Sequence, residues 1–340
     1  MDKKRTIVFR ADGNSEIGLG HVMRCIALSE MLQSFFYLKF AIQNPSKELQ
    51  AILSKSISEV IPLPLTANYS EDATNFLSTL SKEDIVVLDG YKFDSDYQKV
   101  LKTAGFTLVS IDDIHPYHFY SDAIINHSPG IQASDYSVEP YTKMYVGSDY
   151  ALLRQAFLNK NNTSRIIPSV NRVLICFGGA DPLNLTVNVL EACLLLDSIE
   201  IQIVIGGVNK YLDDIQQIIN KHTDRRIVLH KNISSDEMVQ VMSEVDLIVC
   251  PSSTIVYEAL CLDLNIITGY YVDNQKLFLD YLESNGYVCN MGDWNTVNVG
   301  DIYAKLNNFV HSYAWKEKKK FIRTSPSENI QKVFQSLSSK

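Results

Sequence analysis

Short β-branched apolar runs alternate with amphipathic segments along most of the chain, a pattern that predicts parallel sheets built from βαβ units. Thr6–Arg10 opens the series as a strand. A glycine-rich turn follows, and then a helix from about His21, on which Val22, Cys25, Ile26, Ser29 and Leu32 share one face at helical spacing. Tyr37–Ile42, Ile85–Leu88, Thr107–Ile111 and Ala123–Ile125 read as further strands, with a helix over Asp94–Ala104. At Asn159–Asn171 polar residues and Pro168 interrupt the alternation, which marks a linker. The pattern restarts with strands Val173–Cys176, Glu200–Ile205, Ile227–His230, Leu247–Val249 and Asn265–Thr268. Helices from Thr186 and Tyr211, and over Ser235–Glu244 and Thr254–Leu262, separate them.

The expected fold is therefore α/β, with two Rossmann-like domains at residues 1–160 and 171–312. A last helical segment, 313–340, is expected to pack back across them. Ligands of open parallel sheets bind beyond the carboxyl ends of the strands, so the loops that follow strands carry the chemistry. Two such domains facing each other predict an interdomain cleft.

Composition narrows the function. A chain of 340 residues with 46% hydrophobic and 21% charged residues has material for two cores. Its net charge of −8 argues against nucleic acid and acidic membrane as partners, so an anionic ligand has to be held by local devices such as helix N-termini. The six cysteines form no C-x-x-C pair and several sit in apolar runs, as reduced core residues of a cytosolic protein do. Met1–Arg5 leads straight into a strand, and no apolar run approaches the roughly 20 residues of a membrane helix. A cytoplasmic protein without stable membrane insertion is expected, as a monomer or weak dimer.

Four strand-end loops stand out. The first, Arg10 to His21, contains Gly18 and Gly20, where backbone can approach a ligand closely, and opens a helix whose N-terminus favours anions. It has neither the P-loop nor the dinucleotide fingerprint, which disfavours a nicotinamide enzyme. The helix dipole is expected to keep His21 neutral and able to accept a proton, the alternative being a histidine that caps its own helix. In the second loop, Gly178 and Gly179 allow contact with phosphate or base, or form an ordinary βα turn. The third, Pro251 to Glu258, offers Ser253 and Thr254 to a diphosphate and Glu258 to ribose hydroxyls. Its alternative is an N-cap with a solvent-facing glutamate. The fourth, Tyr270 to Gln275, supplies amides that could orient sugar substituents or a water.

Asp112, Asp113, His115 and His118 are metal-ligand types, but Pro116 breaks a helical His-to-His spacing, and a polar strand-end loop is the favoured reading. The basic run Trp315–Phe321 reads as the solvated face of a last helix.

Arg-Ala-Asp before Gly-Leu-Gly-His21, Phe-Gly-Gly-Ala-Asp181, Ser-Ser-Thr-x-x-x-Glu-Ala-Leu260 and Asn274-Gln275 together resemble the UDP-2,4-diacetamido-2,4,6-trideoxy-β-L-altropyranose hydrolases of pseudaminic acid synthesis. Ser110–Asp113, Ala133–Tyr136 and Tyr150–Arg154 match in order between them, so the resemblance spans residues 6 to 290. It implies a GT-B fold, akin to the transferase that adds GlcNAc in peptidoglycan synthesis but with water as acceptor. It also implies inverting cleavage of the C1–O bond, with no cofactor and no required metal. His21 would be the general base and Asn274 would stand near the reacting centre. Asp12, Gly18, Gly20, Tyr91, Arg154, Gly178, Gly179, Ser253, Thr254, Glu258 and Gln275 would hold the UDP-sugar. The stretch from Phe36 to Thr66 departs from the pattern, which leaves the sugar pocket open. A GT-B glycosyltransferase and a non-catalytic nucleotide-sugar-binding subunit are the competing readings.

Overall fold

The structure is a computed structural model that describes residues 4–13, 19–160, 165–207, 209–312 and 320–338. The chain forms two compact units, Met1–Gln155 with Ile322–Lys340, and Ala156–Phe321.

The strands in chain order are β1 (Thr6–Ala11), β2 (Tyr37–Gln43), β3 (Glu59–Leu63), β4 (Ile85–Asp89), β5 (Thr107–Ile111), β6 (His118–Phe119), β7 (Ala123–Asn126), β8 (Ser137–Val138) and β9 (Lys143–Val146) in the first unit. The second unit has β10 (Arg172–Ile175), β11 (Glu200–Ile205), β12 (Ile227–Lys231), β13 (Leu247–Pro251), β14 (Asn265–Tyr270) and β15 (Cys289–Asp293). The first sheet runs β3-β2-β1-β4-β5-β7-β9 and the second β12-β11-β10-β13-β14-β15, each parallel throughout; β6 and β8 form a small separate pair. Each unit is thus Rossmann-like, with the strand order reversing beside its first strand.

The central strands β1 and β4 are buried along nearly their whole length, and mostly apolar, because helices cover both faces of a parallel sheet. Ile7, Val8 and Phe9 of β1, with Ile85, Val86 and Val87 of β4, are fully buried. The helix Gly20–Leu32 buries the face its periodicity marks, Val22, Cys25, Ile26, Ser29 and Leu32 included. Ser29 is tolerated there because its hydroxyl donates to the Ile26 carbonyl at 2.7 Å, one turn back.

Five strands lie outside the sequence-based pattern: the two-residue strands β6 and β8, and three edge strands of the main sheets. β3 carries Pro62, which reads as a strand breaker, yet β3 is the edge of its sheet, where a missing N–H costs no ladder bond. β9 and β15 are the opposite edges of the two sheets and are only partly buried, so neither has a continuous apolar run to announce it.

The segment from Ile322 onward returns to the first unit. The helix Pro326–Ser338 buries Ile330, Val333, Phe334 and Leu337, with Phe334 against Phe36 at 6.3 Å between ring centres. The basic run read as a last helical face falls mostly outside the described residues. Among the described residues no helix is long and apolar enough to cross a membrane.

Candidate functional site

In the first unit the chemistry gathers at the carboxyl ends of β1, β4 and β5. β4 lies beside β1, with Asp89 opposite Ala11, so the last residue of β4 meets the start of the helix Gly20–Leu32. Asp89 is completely buried. Its Oδ1 lies 2.7 Å from His21 Nδ1, and its Oδ2 accepts from Arg24 Nε at 2.9 Å. Arg24 Nη2 donates to Asp89 Oδ1 as well, and Arg24 Nη1 reaches Asp113 Oδ2 at 3.0 Å. Burial alone would raise the Asp89 carboxyl, but the charge of Arg24, and then His21, outweighs it and holds the group below the usual carboxylate range.

These contacts assign the His21 tautomer. An ionised Asp89 has no proton to give, so Nδ1 carries the hydrogen and donates it to the carboxylate. Arg24 Nη2, 3.0 Å from the same nitrogen, is a second donor aimed at the same oxygen rather than a partner of the ring. Nε2 is left as the proton acceptor. Tyr91 meets the His21 ring edge-on at 4.7 Å between centres and turns its hydroxyl toward Asp113 at 3.5 Å. Among the described residues, nothing lies within 4 Å of where a side chain on Gly20 would begin.

Asp12, read from sequence as a ligand contact, is engaged within the protein. Arg10 binds it bidentately at 2.6 and 2.8 Å, while the Gln43 N–H and the Tyr69 hydroxyl take the remaining capacity of its oxygens. Arg10 is fully buried and also pairs with Asp72, which accepts from Tyr97 and Gln43. This network ties the start of the glycine-rich loop to β2 and to the helix Tyr69–Leu77. Gly18 lies outside the described residues. Arg154 is half-buried in the segment after Tyr150.

The cluster from Asp112 to His118 is divided among several tasks. Asp112 Oδ1 accepts from the N–H groups of Ile114 and His115 and closes a turn; Asp113 faces Arg24; His118 contacts Ser137 and Glu139. Among the described residues no group of three or more His, Cys, Asp or Glu side chains is arranged to hold a metal ion.

In the second unit, Gly178 has φ +75°, a conformation that favours glycine, and sits exposed after β10. Gly179 lies against Gly206 of the next strand-end loop so closely that a Cβ on Gly206 would stand 2.5 Å from the Gly179 Cα. Asp181 caps the helix Leu185–Leu194, accepting from the N–H groups of Leu185 and Thr186 at 2.8 and 2.9 Å. The helix Thr254–Cys261 starts at Ser253, whose side chain makes no capping bond, so the hydroxyl leaves the first-turn N–H groups to other acceptors. Glu258, one turn in, is buried rather than solvent-facing. Asn274 and Gln275 form a short turn after β14, where Gln275 Oε1 accepts from the Tyr271 N–H at 3.1 Å. His21, Gly20, Tyr91 and Arg154 belong to the first unit, and Gly178, Gly179, Ser253, Thr254, Glu258, Asn274 and Gln275 to the second.

Sequence reasoning missed Asp89, Arg24 and His127. Asp89 was legible as the one acid closing the apolar run Ile85–Leu88 at a strand's carboxyl end. Arg24 was masked by its place on the buried face of an apolar helix. His127, just beyond β7, is buried; its Nδ1 accepts from the Leu152 N–H at 3.3 Å. Burial, aided by the Arg24 charge, lowers its pKa to about 4.

No protein-family model matches the chain. It is 28% identical over 287 residues, 82% of its length, to an uncharacterised protein of Methanocaldococcus jannaschii, of which it spans 58%. It is 27% identical over 288 residues to the UDP-2,4-diacetamido-2,4,6-trideoxy-β-L-altropyranose hydrolase of Campylobacter jejuni, covering 83% of this chain and 97% of that one. The fold is similar to that of Acinetobacter baumannii MurG, with a TM-score of 0.60 at 14% identity over 98% of this chain and 99% of that one. The chain has the GT-B fold of two Rossmann-like domains.

Proposed function

We propose that this chain is a nucleotide-sugar-processing enzyme, and that its reaction is hydrolysis of a UDP-linked diacetamido-trideoxy sugar to the free sugar and UDP. The observation that carries the reading is the His21–Asp89–Arg24 arrangement at the strand ends of the first unit. The sequence similarity to a hydrolase of that name supports the substrate class.

In this reading Asp89 fixes the ring, and Nε2 of His21 takes a proton from water as its oxygen bonds to the anomeric carbon. The C1–O bond breaks and its electron pair leaves with UDP. Water is a poor nucleophile at neutral pH, and such base assistance is typically worth about 10²–10⁴-fold. The departing diphosphate needs its charge stabilised. The hydroxyls of Ser253 and Thr254 and the N–H groups of the helix they begin are suited to do that without a cation. Glu258 would accept from the ribose, and Gly178 and Gly179 would let backbone approach the nucleotide. Asn274 would orient the sugar or the attacking water, with Gln275 bracing its turn. Tyr91, edge-on to His21, would wall the sugar side, and Gly20 and Arg154 would contact the ligand from the first unit.

The test is UDP release from the UDP-diacetamido sugar with no acceptor and with EDTA present. Release that falls by about 10²–10⁴-fold in His21→Ala, while UDP still binds, is the expected result. Release only after a sugar or lipid acceptor is added would move the protein to the transferases. Equal loss of UDP affinity in His21→Ala would make His21 a binding residue.

A further inference from the structure

The helix Pro326–Ser338 has a second stripe besides the one it buries. Asn329, Lys332 and Ser336, spaced by three and four residues, lie along one wall of a surface cavity of about 270 Å³. The edge strand β9 forms another wall. Lys143 and Tyr145, two residues apart, share one face of that strand, while Met144 and Val146 pack against the cluster around Phe119 and Tyr136. Tyr150 completes the lining, its ring meeting Tyr145 at 5.3 Å between centres and 61° between planes. Every lining residue belongs to the first unit.

The charge arrangement is what needs an explanation. In a chain with 39 acidic and 31 basic side chains, this cavity is lined by two lysines and no carboxylate. Among the described residues neither lysine is in an ion pair, and the Tyr145 and Tyr150 hydroxyls have no hydrogen-bond partner. The neighbouring acid, Asp149, is not among the lining residues: its Oδ1 accepts from Thr324 and its carbonyl from Asn329. Lysine on an edge strand often serves to block pairing with another sheet, which accounts for Lys143 alone. It does not account for Lys332 on a different element of the same cavity.

We propose that this cavity binds a small phosphorylated molecule of about monosaccharide size, at a site separate from His21 and independent of the hydrolase reading. Two ammonium groups from different walls suit a phosphate dianion as point charges, and the phenol hydroxyls add donors. The volume, about 270 Å³, lies just below the usual range of ligand pockets, about 300 to 1,000 Å³, which suits a small ligand. The lysines are exposed, so binding is salt-sensitive.

The experiment is calorimetric titration of the full chain with glucose 1-phosphate, with glucose as the neutral control. Saturating UDP is present throughout to occupy any nucleotide site. Saturable binding of the phosphate, absent for glucose and weakened at least tenfold in Lys143→Ala/Lys332→Ala, is the expected result. Both lysines are exposed, so the variant's melting temperature should stay that of the parent; Lys332→Gln provides a second, milder variant with the same readout. No saturable binding, equal binding of glucose, or equal affinity in the variants would overturn the proposal and leave the lysines as guards of the sheet edge.

Discussion

His21 and Asp89 are 68 residues apart in the chain and 2.7 Å apart in the fold, Nδ1 to Oδ1, with Arg24 bound to the same carboxylate. The histidine therefore does not stand alone at a helix start. One ring nitrogen is committed to a buried acid, and the other is left for chemistry.

Asp89→Asn tests that commitment. An amide can offer its N–H to the ring, which would favour the tautomer with Nδ1 as acceptor and place the proton on Nε2. UDP release should fall by about 10²–10⁴-fold, as loss of the base does, while UDP affinity in the second unit is retained. Arg24 also loses its ionic partner, and breaking a buried pair costs about 3–5 kcal/mol, so a lower melting temperature is expected alongside. A variant with full activity would separate Asp89 from the chemistry.

His127 sets a pH dependence of stability. Its pKa in the fold, about 4, lies below the 6.5 of an ordinary histidine. Between those values the unfolded chain binds the proton and the folded chain does not, so stability falls as pH drops from about 6.5 to about 4. A shift of about 2.5 units corresponds to about 3 kcal/mol lost across the window. Protonation would also place a hydrogen on the nitrogen that accepts from Leu152. His127→Gln should flatten the slope of unfolding free energy between pH 6.5 and 4 by up to one proton, measured by urea denaturation at stepped pH. An unchanged slope would assign the acid sensitivity to other groups.

Gly206→Ala tests the contact between the two glycine-containing loops of the second unit. The new methyl would stand 2.5 Å from the Gly179 Cα and 3.0 Å from its carbonyl oxygen, which are backbone atoms that cannot rotate away. Overpacking of this kind costs about 1–3 kcal/mol. The Gly178–Gly179 loop should be displaced, so UDP affinity is expected to fall together with stability. Loss of stability with unchanged UDP affinity would remove that loop from the nucleotide site.

The alternation of apolar runs and helical faces was enough to read both sheets, because periods of two and 3.6 residues are local properties of the chain. It also marked the loops after β1, β10, β13 and β14, since a glycine or hydroxyl cluster between a strand and a helix is a local signal. The strands it passed over lie at sheet edges, where Pro62 is tolerated and alternation is weak. What sequence alone did not decide is which polar groups meet. β4 enters the sheet beside β1 although two strands intervene in the chain, and that insertion delivers Asp89 to His21 and Arg24. The pairing of β1 with β2 turns Asp12 toward the Gln43 N–H and makes it part of an internal network with Arg10. Likewise, the return of the last helix to the first unit sets Lys332 and Lys143 around one cavity. Each of these meetings depends on strand order and on where an element docks, which burial of apolar faces determines over the whole unit, whereas spacing along the chain reports only its nearest turns.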